Sequence, residues 1–188
     1  MNIFLIGYRC TGKTSVGRFL ARRIGWPFVD TDMTLIKEQG QQISEIVNTK
    51  GWDSFRKMEK QVIQCVCERD RRVVATGGGV VLDEENVKRM KDSGVLVWLR
   101  ASIDTIENRM AQDPLTRDFR PALTSKAGVE EIKETLLLRN PSYEKAMDFI
   151  VDTDLIGIKA VCDAILQKLE KNDLFCSFAG FRTENSDE

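Results

Sequence analysis

Short apolar runs alternate with longer amphipathic stretches along most of the chain. The runs at 2–6, 27–30, 72–76, 95–99 and 149–152 are rich in valine, isoleucine, leucine and phenylalanine, and each has the length of a strand. Three of them are nearly unbroken apolar sequences, as strands covered on both faces should be. Over 13–24, 31–39, 43–50, 51–69, 84–93, 103–111, 128–146 and 156–171, apolar positions recur every three or four residues, which predicts helices. Strands alternating with helices imply a layered α/β fold around a mainly parallel sheet. With no internal repeat and no linker composition, residues 1–171 read as one domain.

Two segments break the alternation. Residues 112–126 hold Pro114, Pro121 and charges of both signs between two helical patterns, and read as a mobile loop. Residues 172–188 end in a polar, acidic run and read as a frayed or disordered tail. Phe175, Phe178 and Phe181 recur there at a spacing of three, which a docked helical turn would also give.

Composition narrows the chemistry. The 28 basic and 29 acidic residues leave a formal net charge of −1, so no global basic field would attract nucleic acid or an anionic membrane. A phosphate ligand would need a local site. The apolar run at 3–6 is too short for a signal core or a membrane span. Cys10, Cys65, Cys67, Cys162 and Cys176 contain no C-x-x-C pair, an odd set that suggests reduced thiols in a cytoplasmic protein. Histidine is absent. That removes Ser-His-Asp and Cys-His nucleophile systems and every zinc site needing imidazole, and leaves carboxylates, lysine, tyrosine and thiols for proton transfer.

Gly7-Tyr8-Arg9-Cys10-Thr11-Gly12-Lys13-Thr14 fits G-x-x-x-x-G-K-[ST], follows an apolar strand and opens an amphipathic helix. Gly7 and Gly12 allow the backbone to turn and approach a ligand, and the N–H groups up to Ser15 can converge on phosphate at a helix start. Lys13 would neutralise the outer phosphates, and Thr14 could ligate Mg²⁺. Cys10 is either a thiol activated by that positive end or a small residue at an unconstrained position.

No acid closes the third strand, which ends in Thr76-Gly77-Gly78-Gly79. The nearest carboxylates are Asp30 and Asp32 of Asp30-Thr31-Asp32, where the second strand ends on the ligand-binding edge of such a sheet. One could serve the metal while the other faces the acceptor; helix capping is the alternative use. A carboxylate beside the acceptor suits an alcohol, which donates a hydrogen bond as it attacks, better than a second phosphate.

Together with Phe55-Arg56-Lys57-Met58-Glu59, Arg120-Pro121 and Leu138-Arg139 with Tyr143, these elements resemble the shikimate kinase family over about residues 2–171. The resemblance implies a three-layer α/β/α fold of the P-loop kinase type with a five-stranded parallel sheet and a mobile lid at about 112–126. It implies ATP and Mg²⁺ as cofactors, shikimate as the small-molecule substrate, and a monomer. The product would be shikimate 3-phosphate, a step of aromatic amino acid biosynthesis. Carried over residue by residue, Asp32 would bind the reacting hydroxyl and act as its base, and Asp30 would sit near Mg²⁺. Arg56 and Arg139 would hold the substrate carboxylate, and Gly78, between Gly77 and Gly79, would offer its N–H. Glu59 would bind a substrate hydroxyl or brace Arg56. Arg120 would be the lid arginine, with Arg117 a second candidate, and Arg109 would help hold the nucleotide. Adenine contacts would fall near residues 155–158.

Blander readings stand beside these. Arg56 and Glu59 are three apart and would also suit an exposed helix ion pair. Gly77–Gly79 suit a plain tight turn, and Arg139 a solvated charge. Within enzymes the alternative is a kinase of another hydroxy acid such as gluconate, and outside them a non-catalytic nucleotide-binding module.

Overall fold

The computed structural model describes residues 1–113, 123 and 128–171 of the 188-residue chain. At its centre is β1 (Asn2–Ile6), buried along its whole length. It pairs in parallel with β3 (Val73–Ala75) on one side and β4 (Gly94–Arg100) on the other. β2 (Phe28–Asp30) lies outside β3 and β5 (Phe149–Asp152) outside β4, which gives one parallel sheet in the order β2-β3-β1-β4-β5.

Period-two alternation divides the core between the two faces of the sheet. Ile3, Leu5, Val73, Val95 and Val97 face α1 (Lys13–Ile24) and α7 (Ile158–Lys171). Phe4, Ile6, Val74, Leu96 and Trp98 face the other way, into a cluster with α3 (Ile43–Cys67), α4 (Glu84–Ser93) and α6 (Val129–Ala146). Apolar burial on both faces is why β1 tolerates no alternation of polarity. α2 (Thr31–Gln39) follows β2 directly and α5 (Ile103–Gln112) follows β4. The sheet and flanking helices are the α/β P-loop kinase fold that the resemblance implies.

Element boundaries depart little from the sequence pattern, and each departure has a local cause. α3 is broken at Gly51 (φ 79°), where the sequence divides it into two helices. The last helix starts at Ile158, not 156, after a bend at which Leu155 takes a left-handed φ of 55°. β4 extends one residue beyond the expected 95–99 at each end, since it pairs with two neighbours. Among the described residues no helix is long and apolar enough to cross a membrane.

The topology places the site. From β1 the chain runs outward to β2, returns through β3, and crosses to β4 on the other side of β1. The loops that leave the carboxyl ends of β1 and β3 therefore flank the crevice where strand order reverses, the place ligands occupy in open parallel sheets.

Candidate active site

The first loop of that crevice is shaped by close approach. Gly7 has φ 139°, and a Cβ there would stand 2.3 Å from the Leu99 carbonyl oxygen of β4. Gly12 (φ 95°) and Cys10 (φ 59°) are also left-handed. Cys10 thus occupies a constrained backbone position, contrary to the unconstrained one considered from sequence, at a strain of roughly 1–2 kcal/mol for a residue with a Cβ. Its thiol lies 3.8 Å from Asp113 Oδ2 and donates to it. No side chain caps α1, so its amino end and dipole are presented to the cavity. Lys13 Nζ donates to the carbonyl oxygens of Gly7 (2.8 Å) and Tyr8 (2.6 Å), folding the ammonium over the loop. Arg9 reaches the other way and pairs with Glu131 of α6 at 2.5 Å.

Asp30 caps a helix and also reaches the first turn of α1. One oxygen caps α2, accepting from the N–H groups of Asp32 (3.1 Å) and Met33 (3.2 Å). The other accepts from Thr14 Oγ1 at 2.9 Å. Capping and placement beside the first helix turn are one arrangement, because a two-oxygen carboxylate can face both. The start of α2 turns Asp32 inward: its Oδ1 stands 2.8 Å from the point a Cβ on Gly77 would occupy.

The triglycine turn after β3 is the seam of the site. None of the three glycines takes a left-handed φ, so conformational freedom is not what the turn requires. Space is. A Cβ on Gly77 would crowd Asp32 Oδ1 and Glu59 Oε1 at 2.8 and 2.9 Å. One on Gly78 would lie 3.4 Å from Gly7 O and 3.7 Å from Arg139 Nη1, and one on Gly79 would fall 2.3 Å from Arg56 Nη2. The segment is a tight turn, closed by Val80 N donating to Gly77 O at 3.2 Å, and at the same time a surface on which four charged side chains rest.

Burial decides the other two blander readings. Glu59 is 4% exposed and its Oε2 accepts from Arg56 Nη1 at 2.6 Å, so the pair is not a solvated helix ion pair. Arg56 also lies over the rings of Trp52 and Phe55, at 5.5 and 5.2 Å, which hold its planar fork in place. Burial pushes the Glu59 carboxyl above the ordinary glutamate range, against the opposing pull of Arg56 and Arg139. Its Oε1 is buried against Gly77 with no hydrogen-bond partner among the described residues. Arg139 is 9% exposed and donates through Nη1 to Gly78 O at 3.1 Å, so it is not a solvated charge. Tyr143, wholly buried, donates its hydroxyl to the same oxygen. Burial raises its phenol far above the usual range, which keeps it a donor.

A single cavity of about 680 Å³ gathers these parts. Its wall includes Cys10, Thr11, Gly12, Lys13, Thr14, Ser15, Asp30, Asp32, Arg56, Glu59, Gly77, Gly78, Gly79, Arg109 and Arg139. Gly7 does not form part of the wall and serves the loop through its backbone. Arg120, Arg117 and most of the expected lid lie outside the described residues, as does the tail. Arg109 joins the loop after β1 to the end of β5, donating to Cys10 O, Thr153 Oγ1 and Thr153 O at 3.3, 3.1 and 2.7 Å. Of the stretch expected to meet adenine, Ile156 and Ile158 reach the wall, while Leu155 is fully exposed.

A sequence model of the family described as shikimate kinase matches residues 9–170. The chain belongs to the shikimate kinase family. It is 44% identical over 170 residues to the shikimate kinase of Thermodesulfovibrio yellowstonii, covering 90% of this chain and 95% of that protein. To the shikimate kinase of Syntrophus aciditrophicus it is 42% identical over 177 residues, covering 90% and 91%. Among solved structures it resembles the shikimate kinase of Acinetobacter baumannii in complex with shikimate, with a TM-score of 0.84 and 30% identity over 92% of this chain and 94% of that one. A gluconokinase of Sinorhizobium meliloti aligns with a TM-score of 0.60 at 18% identity over 94% and 97%, a likeness of fold alone.

Several shikimate kinase site neighbours escaped the sequence reading. Trp52 under Arg56 and Glu131 paired with Arg9 are parts of this kind. Arg9, Thr31, Phe55 and Tyr143 belonged to the matched motifs but had no role assigned. An aromatic at 52 beside an arginine at 56 was the one local signal available, since residues four apart share a helix face.

Proposed function

We propose that this chain transfers the γ-phosphoryl group of ATP to the 3-hydroxyl of shikimate. The supporting observation is that one cavity has two chemically distinct ends, with the triglycine turn between them. At one end lie Lys13, Thr14 and the amino end of α1; at the other lie Asp32, Glu59 and the guanidinium groups of Arg56 and Arg139.

Lys13 moves from the loop carbonyls to the outer phosphates of ATP, and the N–H groups at the start of α1 donate to the phosphate oxygens. Thr14 and Asp30 supply oxygen donors only, and no cluster of three ligating side chains exists among the described residues. That set fits magnesium, which favours oxygen and commonly keeps waters and phosphate oxygens in its shell. Bound there, the ion would neutralise charge on the transferring group. Arg56 and Arg139 hold the shikimate carboxylate, arginine's planar fork matching it where lysine would not. Glu59 accepts from a ring hydroxyl or braces Arg56, with which it already pairs. Asp32 accepts the hydrogen bond of the reacting hydroxyl and takes its proton as the oxygen–phosphorus bond forms and ADP leaves. Little covalent help is needed beyond placement and charge neutralisation.

A coupled ADP-release assay over shikimate, gluconate and related hydroxy acids tests the reading, with magnesium chelation as a second arm. Magnesium-dependent turnover with shikimate is expected. Clear turnover of gluconate with none of shikimate would overturn it.

A further inference from the structure

Thr31, the middle residue of Asp30-Thr31-Asp32, has no part in the chemistry above, yet it is almost fully buried. β2 and β3 pair in parallel up to Asp30 and Ala75, where the backbone ladder stops because α2 begins at Thr31. One further bond continues past that point: the Thr31 hydroxyl oxygen accepts the N–H of Gly77 at 3.1 Å. A side chain thus replaces the strand carbonyl that the start of the helix removes.

That bond anchors the entry of the triglycine turn. Thr76 is tied to Leu5 O by its N–H and its hydroxyl, both at 3.1 Å. The Gly77 carbonyl accepts from Val80 N at 3.2 Å, and the Gly78 carbonyl from Arg139 and Tyr143. With the carbonyls drawn to the protein side, the orientation of the Gly77 N–H decides how the turn leaves β3. Gly77 is also the residue against which Asp32 and Glu59 rest.

We propose that Thr31 is a positioning residue, whose hydroxyl sets the triglycine turn against Asp32 and so fixes the distance between the proton acceptor and the acceptor substrate. It adjoins both Asp30, which contacts Thr14, and Asp32, so the same short segment keeps the two ends of the cavity in register. The buried methyl of a β-branched side chain limits χ1 and holds the oxygen towards Gly77.

This inference rests on the kinase reading, and the test separates the two. Thr31→Val keeps the shape but has no acceptor, leaving the Gly77 N–H unsatisfied; Thr31→Ser keeps the acceptor. For Thr31→Val the KM for shikimate should rise about tenfold and kcat should fall severalfold, with the KM for ATP unchanged within about twofold. Thr31→Ser should stay within about threefold of wild type in every constant. Equal losses for both substrates, unchanged shikimate constants in Thr31→Val, or a serine variant as impaired as the valine one would each overturn it. If the valine protein shows no thermal transition, Thr31→Ala takes its place under the same criteria. If the wild-type protein itself does not turn over shikimate, the functional reading fails, and amide exchange then decides Thr31 alone. Faster exchange at residues 76–80 in the valine variant, with residues 2–12 unchanged, supports the anchor, and unchanged exchange overturns it.

Discussion

Residues 7–15 build one end of the cavity, the proposed phosphate end, from one unbroken stretch, whose shape depends on backbone torsions and close backbone contacts. The acceptor end takes Asp32 from the start of α2, Arg56 and Glu59 from α3, three glycines from the turn after β3, and Arg139 from α6. At the first end geometry is inseparable from the fold, because Gly7 is pressed against β4. At the second end each side chain lies on an element that stands without it. Damage to the two ends should therefore look different: loss of fold and nucleotide together in one case, selective loss of acceptor chemistry in the other.

The sharpest test of that contrast is Asp32→Asn. Removing the proton acceptor should lower turnover by roughly 10²–10⁴-fold while ATP affinity changes little. Parallel loss of ATP binding, read by calorimetry, would show that the ends are not separable. Next in size is a pair of identical substitutions. Gly7→Ala places a Cβ 2.3 Å from a strand carbonyl at a φ suited to glycine, and should cost about 1–3 kcal/mol in stability and weaken ATP binding. Gly79→Ala meets the guanidinium of Arg56, a side-chain end and not a strand backbone. It should raise the shikimate KM about tenfold with less than about 1 kcal/mol lost in a denaturant titration.

Arg139→Lys retains charge but loses the fork. We expect the shikimate KM to rise about tenfold with the ATP KM unchanged, and an unaltered shikimate KM would remove Arg139 from the site. The smallest effect concerns pH. Glu59 has a folded pKa above its unfolded value, so the folded state favours the protonated acid. Stability from this source is present below the ordinary glutamate range and is lost as pH rises through the raised folded value. Glu59→Gln does not ionise, so its stability relative to wild type should increase across that window and level off above it. Urea midpoints from about pH 4 to about pH 8 measure this, and a constant difference would show that burial does not perturb Glu59.

Legibility differed between the two ends for a physical reason. Lys13 and Thr14 could be read from a contiguous motif, because a strand, a glycine turn and a helix start suffice to make a phosphate cradle. Arg56 with Glu59 could be read as a helix-face pair but not as a buried one; that depends on Trp52, Phe55 and Gly79 surrounding it. For the triglycine turn the residues were evident and the reason was not. Torsional freedom was the local explanation, whereas the structure shows glycine admitting carboxylates and guanidiniums from distant elements.

By itself the sequence determined the order of strands and helices, the phosphate loop, and the family to which the chain belongs, since each is written in neighbouring residues and their period. Only the tertiary structure decided which charges are buried, that Asp30 caps α2 and meets Thr14 at once, and that Thr31 extends the sheet by a single hydrogen bond. Burial and cross-strand contact belong to pairs of residues far apart in the chain, and no local pattern specifies them.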